Sequence, residues 1–179
     1  MCTALCTTLA KGIRISPRRL VLAALMGALL VVGKQVMSGL PNIEPVSFLI
    51  LLYALEFPRE TPWAISVFLL LQGVLYGFGL WWAMYIYVWF VLMGLVWLFK
   101  RMDRPLFWAV LCGVFGLCFG ALCAPVYIFV QDIAFAFTWW LAGLSFDVSH
   151  AVGNFAITLV LYRPMRRALQ TVKRQLGWA

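Results

Sequence analysis

The chain has 179 residues, 65% of them hydrophobic and 11% charged, with fourteen Lys and Arg against six Asp and Glu and a formal net charge of +8. Its mean hydropathy of +0.97 leaves too little polar surface to coat a water-soluble globule of this size, which excludes a soluble domain. Runs of about 20 apolar residues, with no alternating pattern of a membrane barrel, point to an all-α membrane protein.

Met1 to Ser16 carries its positive charges after a weak apolar run, the reverse of a secretory signal, so residues 1–17 are expected to stay as a cytoplasmic segment. Leu20 to Met37 is the first span, entered through Pro17, Arg18 and Arg19 and stopped at Ser38-Gly39-Leu40-Pro41. Val46 to Phe57 is short for a crossing; it is either lengthened by Asn42 to Pro45 or tucked inside the bundle. Trp63 to Gly79 makes the third span, and the Gly77-Phe78-Gly79 hinge leads through Trp81 and Trp82 into a fourth that ends at Phe99. Leu106 to Ala124 is the fifth, Pro125 to Thr138 a long connection, and Trp139 to Tyr162 the sixth. The basic tail from Arg163 reads as an interfacial helix. The economical architecture is one compact six-helix domain over 18–167, followed by a basic cytoplasmic tail, 168–179.

Short cytoplasmic loops carry the excess of Lys and Arg. A six-span arrangement puts Lys11, Arg14, Arg18, Arg19, Arg59, Lys100, Arg101, Arg104, Arg163, Arg166, Arg167, Lys173 and Arg174 on one side, and leaves only Lys34 on the other. Thirteen cations and three acids then face inside, and one cation and three acids face outside, which reproduces the net +8. Both termini are therefore expected in the cytoplasm. The basic excess reports topology and attraction to anionic lipid, not nucleic-acid binding. The five cysteines show no metal-ligand spacing, and disulfides are not expected.

Small residues mark close helix approach. Ala24 and Ala28, with Gly27 offset, form a smooth stripe on the first span that suits either internal packing or a partner subunit; Gly113, Gly116 and Gly120 do the same on the fifth. On the last span, Asp147, His150 and Asn154 fall at i, i+3 and i+7 and share one face. Counted from Trp139, Asp147 lies ~12 Å and His150 ~16 Å along the axis, well inside the membrane. Ionisable groups there are costly unless they meet a partner or a wet cavity, so they are candidate functional residues. The bland alternative is that Asp147, His150 and Lys34 pair with one another to lock the bundle. The loop Leu40-Pro41-Asn42-Ile43-Glu44-Pro45 is a natural cover, its prolines leaving Asn42 and Glu44 to project. Trp81, Trp82, Tyr85, Tyr87, Trp89, Trp139 and Trp140 gather on the same side, as an interfacial belt or as walls of a small-molecule pocket. Candidate substrate-binding residues are thus Lys34, Asn42, Glu44, Gln72, Trp81, Tyr85, Gln131, Asp132, Trp139, Asp147, His150 and Asn154; no catalytic or metal-binding set is assigned.

The six-span length, the Ala24-x-x-x-Ala28 pair, the Leu-Pro-Asn-Ile-Glu-Pro outer loop and Phe-Asp-x-x-His-x-x-x-Asn in the last helix, over roughly Arg18 to Arg167, together resemble the substrate-binding S component of energy-coupling factor (ECF) transporters. The resemblance implies a bacterial plasma-membrane subunit that captures a water-soluble vitamin outside the cell for ATP-driven uptake. It implies, as partners, a transmembrane coupling protein docked on Ala24, Gly27 and Ala28 and two ATPase subunits that use ATP and Mg; this chain itself binds no cofactor and has no G-x-x-x-x-G-K-[ST] loop. The loop and the Asp-x-x-His pair look most like the cobalamin-type branch. Two competing classes are a small intramembrane enzyme using Glu44, Asp147 and His150 and a haem protein using His150, each short of ligands with one His in the chain.

Overall fold

The computed structural model describes residues 16–39 and 43–178, and all regular structure among them is helical. The helices are α1 (Pro17–Val36), α2 (Val46–Glu56), α3 (Thr61–Tyr76), α4 (Leu80–Leu98), α5 (Pro105–Leu117), α6 (Phe119–Cys123), α7 (Pro125–Val130) and α8 (Ile133–Gln175). Three of them, α1, α4 and α8, are long and apolar enough to cross a membrane, and α5 with α6 and α7 makes a fourth if the bent pair counts as one span. Large apolar side chains lie bare along these helices, among them Val21, Leu25, Leu29 and Val32 on α1, Leu106, Val110 and Val114 on α5, and Val152 and Val160 on α8. Apolar surface on that scale calls for lipid as the solvent.

The second predicted span is the short one. With 11 residues, α2 is about 16 Å long, roughly half of a ~30 Å hydrocarbon layer. It is apolar all round, and Val46, Phe48, Ile50, Leu51, Leu52, Tyr53 and Ala54 are all buried. A helix without a polar face belongs inside a bundle, and α2 forms its centre. The third predicted span, α3, has 16 residues and ends where Gly77 adopts φ +84°, a conformation that suits glycine.

Three boundaries differ from the sequence reading. The expected span Leu106 to Ala124 breaks at Cys118, and the halves 105–117 and 119–130 meet at 54°. Gly116 and Gly120 weaken the helix there, and the Asp147 carboxylate takes the Gly120 N–H at 3.0 Å in place of a helical acceptor. The expected connection Pro125 to Thr138 is mostly helical, in α7 and the first turns of α8. The last span and the tail are one helix: α8 runs 43 residues, about 65 Å, straight through Pro164.

Charge pairs show which helix ends meet. Arg19 at the start of α1 pairs with Glu60, just before α3. Glu56, at the end of α2, accepts from Arg166 Nε at 2.7 Å and from Gln170 Nε2 at 3.0 Å, and Arg166 also pairs with Asp103 before α5. Arg19 stacks over the Trp178 ring at 4.5 Å. One end of the bundle therefore gathers the start of α1, the α2–α3 and α4–α5 connections and the end of α8, together with the nearby basic residues that the sequence assigned to one side. Lys11 and Arg14 lie outside the described residues.

Helix–helix contacts answer the question raised by the small-residue stripes. A Cβ on Gly116 would sit 2.9 Å from the Ala151 nitrogen and the His150 carbonyl of α8, and one on Gly113 3.3 Å from Phe155 Cβ. These glycines let α5 and α8 lie backbone to backbone, as small residues do where lipid supplies no hydrophobic drive for association. Gly27 is likewise internal: its Cβ would lie 2.7 Å from Val67 on α3. This corrects its expected place on a partner-facing surface. Of the three stripe residues, Ala24, exposed, and Ala28, half-buried, remain on the outer side of α1.

Candidate ligand-binding site

Opposite the charged end, residues from five helices and one connection line a cavity of about 410 Å³. The last turn of α1 supplies Lys34 and Gln35, and the residues after it supply Met37 and Ser38; the connection before α2 supplies Ile43 and Glu44. Tyr76 ends α3, Tyr85 projects from α4, Phe119 opens α6 and His150 comes from the middle of α8. The helices end here because apolar runs give way to Ser38-Gly39 and to Gly77, so the cavity sits where four chain segments stop or turn.

Lys34 is the electrostatic centre. Its ammonium donates to the Tyr85 hydroxyl at 2.8 Å, lies 3.9 Å from Glu44 Oε2 and 4.5 Å from the centroid of the Tyr85 ring. Burial pushes the Glu44 carboxyl up from its ordinary pKa, and Lys34 opposes that rise. Tyr76 bonds Gln35 across the rim, joining the ends of α1 and α3. Tyr85 is held by rings on three sides, with Trp81 at 5.5 Å, Trp89 at 5.3 Å and Phe119 at 6.1 Å between centroids. Phe119 meets the His150 ring edge-on at 4.8 Å. His150 is buried, and its Nε2 has no hydrogen-bond partner among the described residues. A buried ring nitrogen left without a partner is costly.

The structure thus brings together Lys34, Glu44, Tyr85 and His150, with Trp81 packed against Tyr85 and outside the lining. Asp147 and Asn154 share the His150 face of α8 but turn to α5 and α6. Asp147 Oδ1 accepts from Gly120, and Asn154 Nδ2 donates to the Cys112 carbonyl at 3.3 Å. The remaining oxygen of each, Asp147 Oδ2 and Asn154 Oδ1, is buried without a partner. Gln72 is buried within α3, outside the cavity lining. Trp139 packs on Tyr127 at 4.8 Å, Gln131 is exposed, and Asp132 caps α8 by accepting from the Phe135 N–H at 2.7 Å. Asn42 lies outside the described residues. Lining residues missed from sequence are Gln35, Met37, Ser38, Ile43, Tyr76 and Phe119. Gln35 and Ser38 had a signal, as polar neighbours of Lys34; Phe119 had none among fourteen Phe.

The aromatic cluster is an interior feature more than a belt. Trp89 is fully buried, Trp82 Nε1 donates to the Leu69 carbonyl at 2.9 Å and Tyr87 to the Leu122 carbonyl at 2.5 Å. The cover is fixed from below, where Ile43 seats on Gly153 of α8 and Pro45 on Gly33 of α1. Among the described residues, no three His, Cys, Asp or Glu side chains converge as a metal would require. Comparison with protein-family models, curated proteins and solved structures finds no match.

Proposed function

We propose that this chain is a six-pass protein of the bacterial plasma membrane, with both termini in the cytoplasm, that acts as the substrate-binding S component of an ECF-type importer. It captures a small water-soluble nutrient at the outer face. A transmembrane coupling protein and two ATPase subunits, the latter using ATP and Mg, drive its uptake; this chain performs no catalysis. The observation that carries the reading is the cavity at the end remote from the basic residues, where Lys34, Glu44, Tyr85 and His150 converge from four elements. Aromatic walls with a few placed polar groups are what a small-molecule pocket requires.

The lining narrows the ligand class. One ammonium faces one carboxylate, and the rest are hydroxyl, amide, imidazole and aromatic groups with the apolar Met37 and Ile43. That set is complementary to a neutral or zwitterionic molecule with a flat ring and several donors and acceptors, in preference to a phosphorylated one. Cobalamin, the nutrient favoured by the resemblance of the loop and the Asp-x-x-His pair, is the first candidate within this reading. Ala24 and Ala28, on the outer side of α1, are the surface offered to the coupling protein.

The test is to purify the chain in mild detergent and identify released small molecules by mass spectrometry. A retained compound should rebind, with affinity lost in Glu44→Gln and His150→Ala. Absence of a retained or rebinding nutrient, or equal affinity in both variants, would refute the reading. Uptake in cells should fail for Ala24→Trp while purified Ala24→Trp still binds ligand.

A further inference from the structure

At the charged end lies a second cleft, of about 360 Å³, lined by Asp103, Pro105, Tyr162, Arg163, Arg166, Arg167 and Gln170. Its three arginines have different standing. Arg166 is consumed by the fold: it pairs with Glu56 and Asp103, and its Nη1 donates to the Tyr162 hydroxyl at 2.7 Å. Arg163 and Arg167 are exposed, one helical turn apart on α8, and neither has a carboxylate within 4.0 Å among the described residues. Counting the lining alone, three guanidiniums face one carboxylate.

The level of this cleft follows from what flanks it. On α8 the exposed apolar run Leu159, Val160 and Leu161 ends one residue before the buried Tyr162 and then Arg163. On α5 the exposed Leu106, followed a turn later by Val110, begins directly after Pro105. Apolar surface suited to acyl chains therefore gives way to charged groups within one turn on both walls, to Asp103 before α5 and to the arginines on α8. That is the depth at which a membrane holds its phosphodiesters.

We propose that this cleft is a specific site for an anionic glycerophospholipid, whose phosphodiester is held by Arg163 and Arg167 while its acyl chains lie along the exposed apolar residues of α5 and α8. Guanidinium pairs match phosphate oxygens bidentately, which a diffuse surface attraction does not provide. Two guanidiniums with no carboxylate of their own among the described residues favour a lipid whose phosphate has no ammonium of its own over a zwitterionic one. Arg166, already satisfied, orients its two neighbours by fixing α8 against Glu56. This inference requires only that the chain sits in a membrane, and it stands apart from the identity of the ligand in the outer cavity.

The test uses full-length protein in nanodiscs of phosphatidylcholine doped with phosphatidylglycerol, with bound lipid counted by native mass spectrometry after transfer to detergent. The parent protein is expected to retain phosphatidylglycerol, and Arg163→Gln/Arg167→Gln to lose roughly tenfold or more of that retention, as the loss of charge-assisted pairs with the phosphate requires. Lys100→Gln/Arg101→Gln, which removes the same charge from the neighbouring loop, should retain lipid like the parent. Equal losses in both double variants would reduce the effect to general surface charge and overturn the site. Displacement of the lipid by millimolar inorganic phosphate would assign the cleft to a free anion and overturn the lipid as its ligand. Melting curves of the variants serve as the folding check, since neither arginine has a side-chain partner to lose among the described residues.

Discussion

Asp147 and His150 stand one turn apart on the same face of α8, yet they do different work. Asp147 is spent on the break between α5 and α6, where it accepts the Gly120 N–H, whereas His150 faces the cavity with Phe119 against its ring. Asp147→Ala should therefore lower thermal stability by about 1–3 kcal/mol, because a buried N–H loses its acceptor, and should leave ligand affinity within a few-fold of the parent. His150→Ala should show the opposite pattern, a large loss of affinity with a smaller shift in melting. Equal effects of the two changes on affinity would mean that Asp147 also reaches the ligand. The i, i+3, i+7 stripe was legible from spacing alone. The partner of each member was not, because helical phase says which residues share a face and nothing about what the facing chain offers at each level.

Between elements, close approach is the governing term. Gly116 allows α5 to lie against the His150–Ala151 backbone, so Gly116→Leu should force the helices apart at a cost of about 1–3 kcal/mol and broaden the melting transition in detergent. Gly94, on α4, would meet nothing within 4 Å, and Gly94→Leu serves as the near-neutral control. Gly153 underlies the cover of the cavity; Gly153→Leu should lift Ile43 and accelerate ligand release in a stopped-flow or dilution measurement. An unchanged release rate would show that the cover is held elsewhere. At this scale the sequence located most apolar segments and both small-residue stripes. It misjudged the fifth span, whose break depends on a carboxylate 27 residues away, and the tail, whose helix continues because Arg166 and Gln170 land on Glu56.

Across the whole molecule, charge separates the two ends. Glu56, nearly buried, ties the end of α2 to α8 through Arg166 and Gln170, with Lys173 at 4.0 Å. Glu56→Ala leaves those donors facing a void and should destabilise the fold by about 1–3 kcal/mol, with the loss read by thermal unfolding. Topology is open to a direct check in a cysteine-free background: a membrane-impermeant maleimide applied to intact cells should label Gln131→Cys and spare Arg101→Cys. Labelling of both, or of Arg101→Cys alone, would overturn the proposed orientation. Composition, hydropathy and the distribution of Lys and Arg were enough to establish an all-helical membrane protein with one strongly basic end, because solvent choice and charge segregation are properties of segments and need no partner. Folding alone decided that α2 is the bundle's centre, that Gly27 packs inward, and that Lys34, Glu44, Tyr85 and His150 meet around one cavity. Those outcomes rest on distances between residues up to 116 positions apart, which no local pattern encodes.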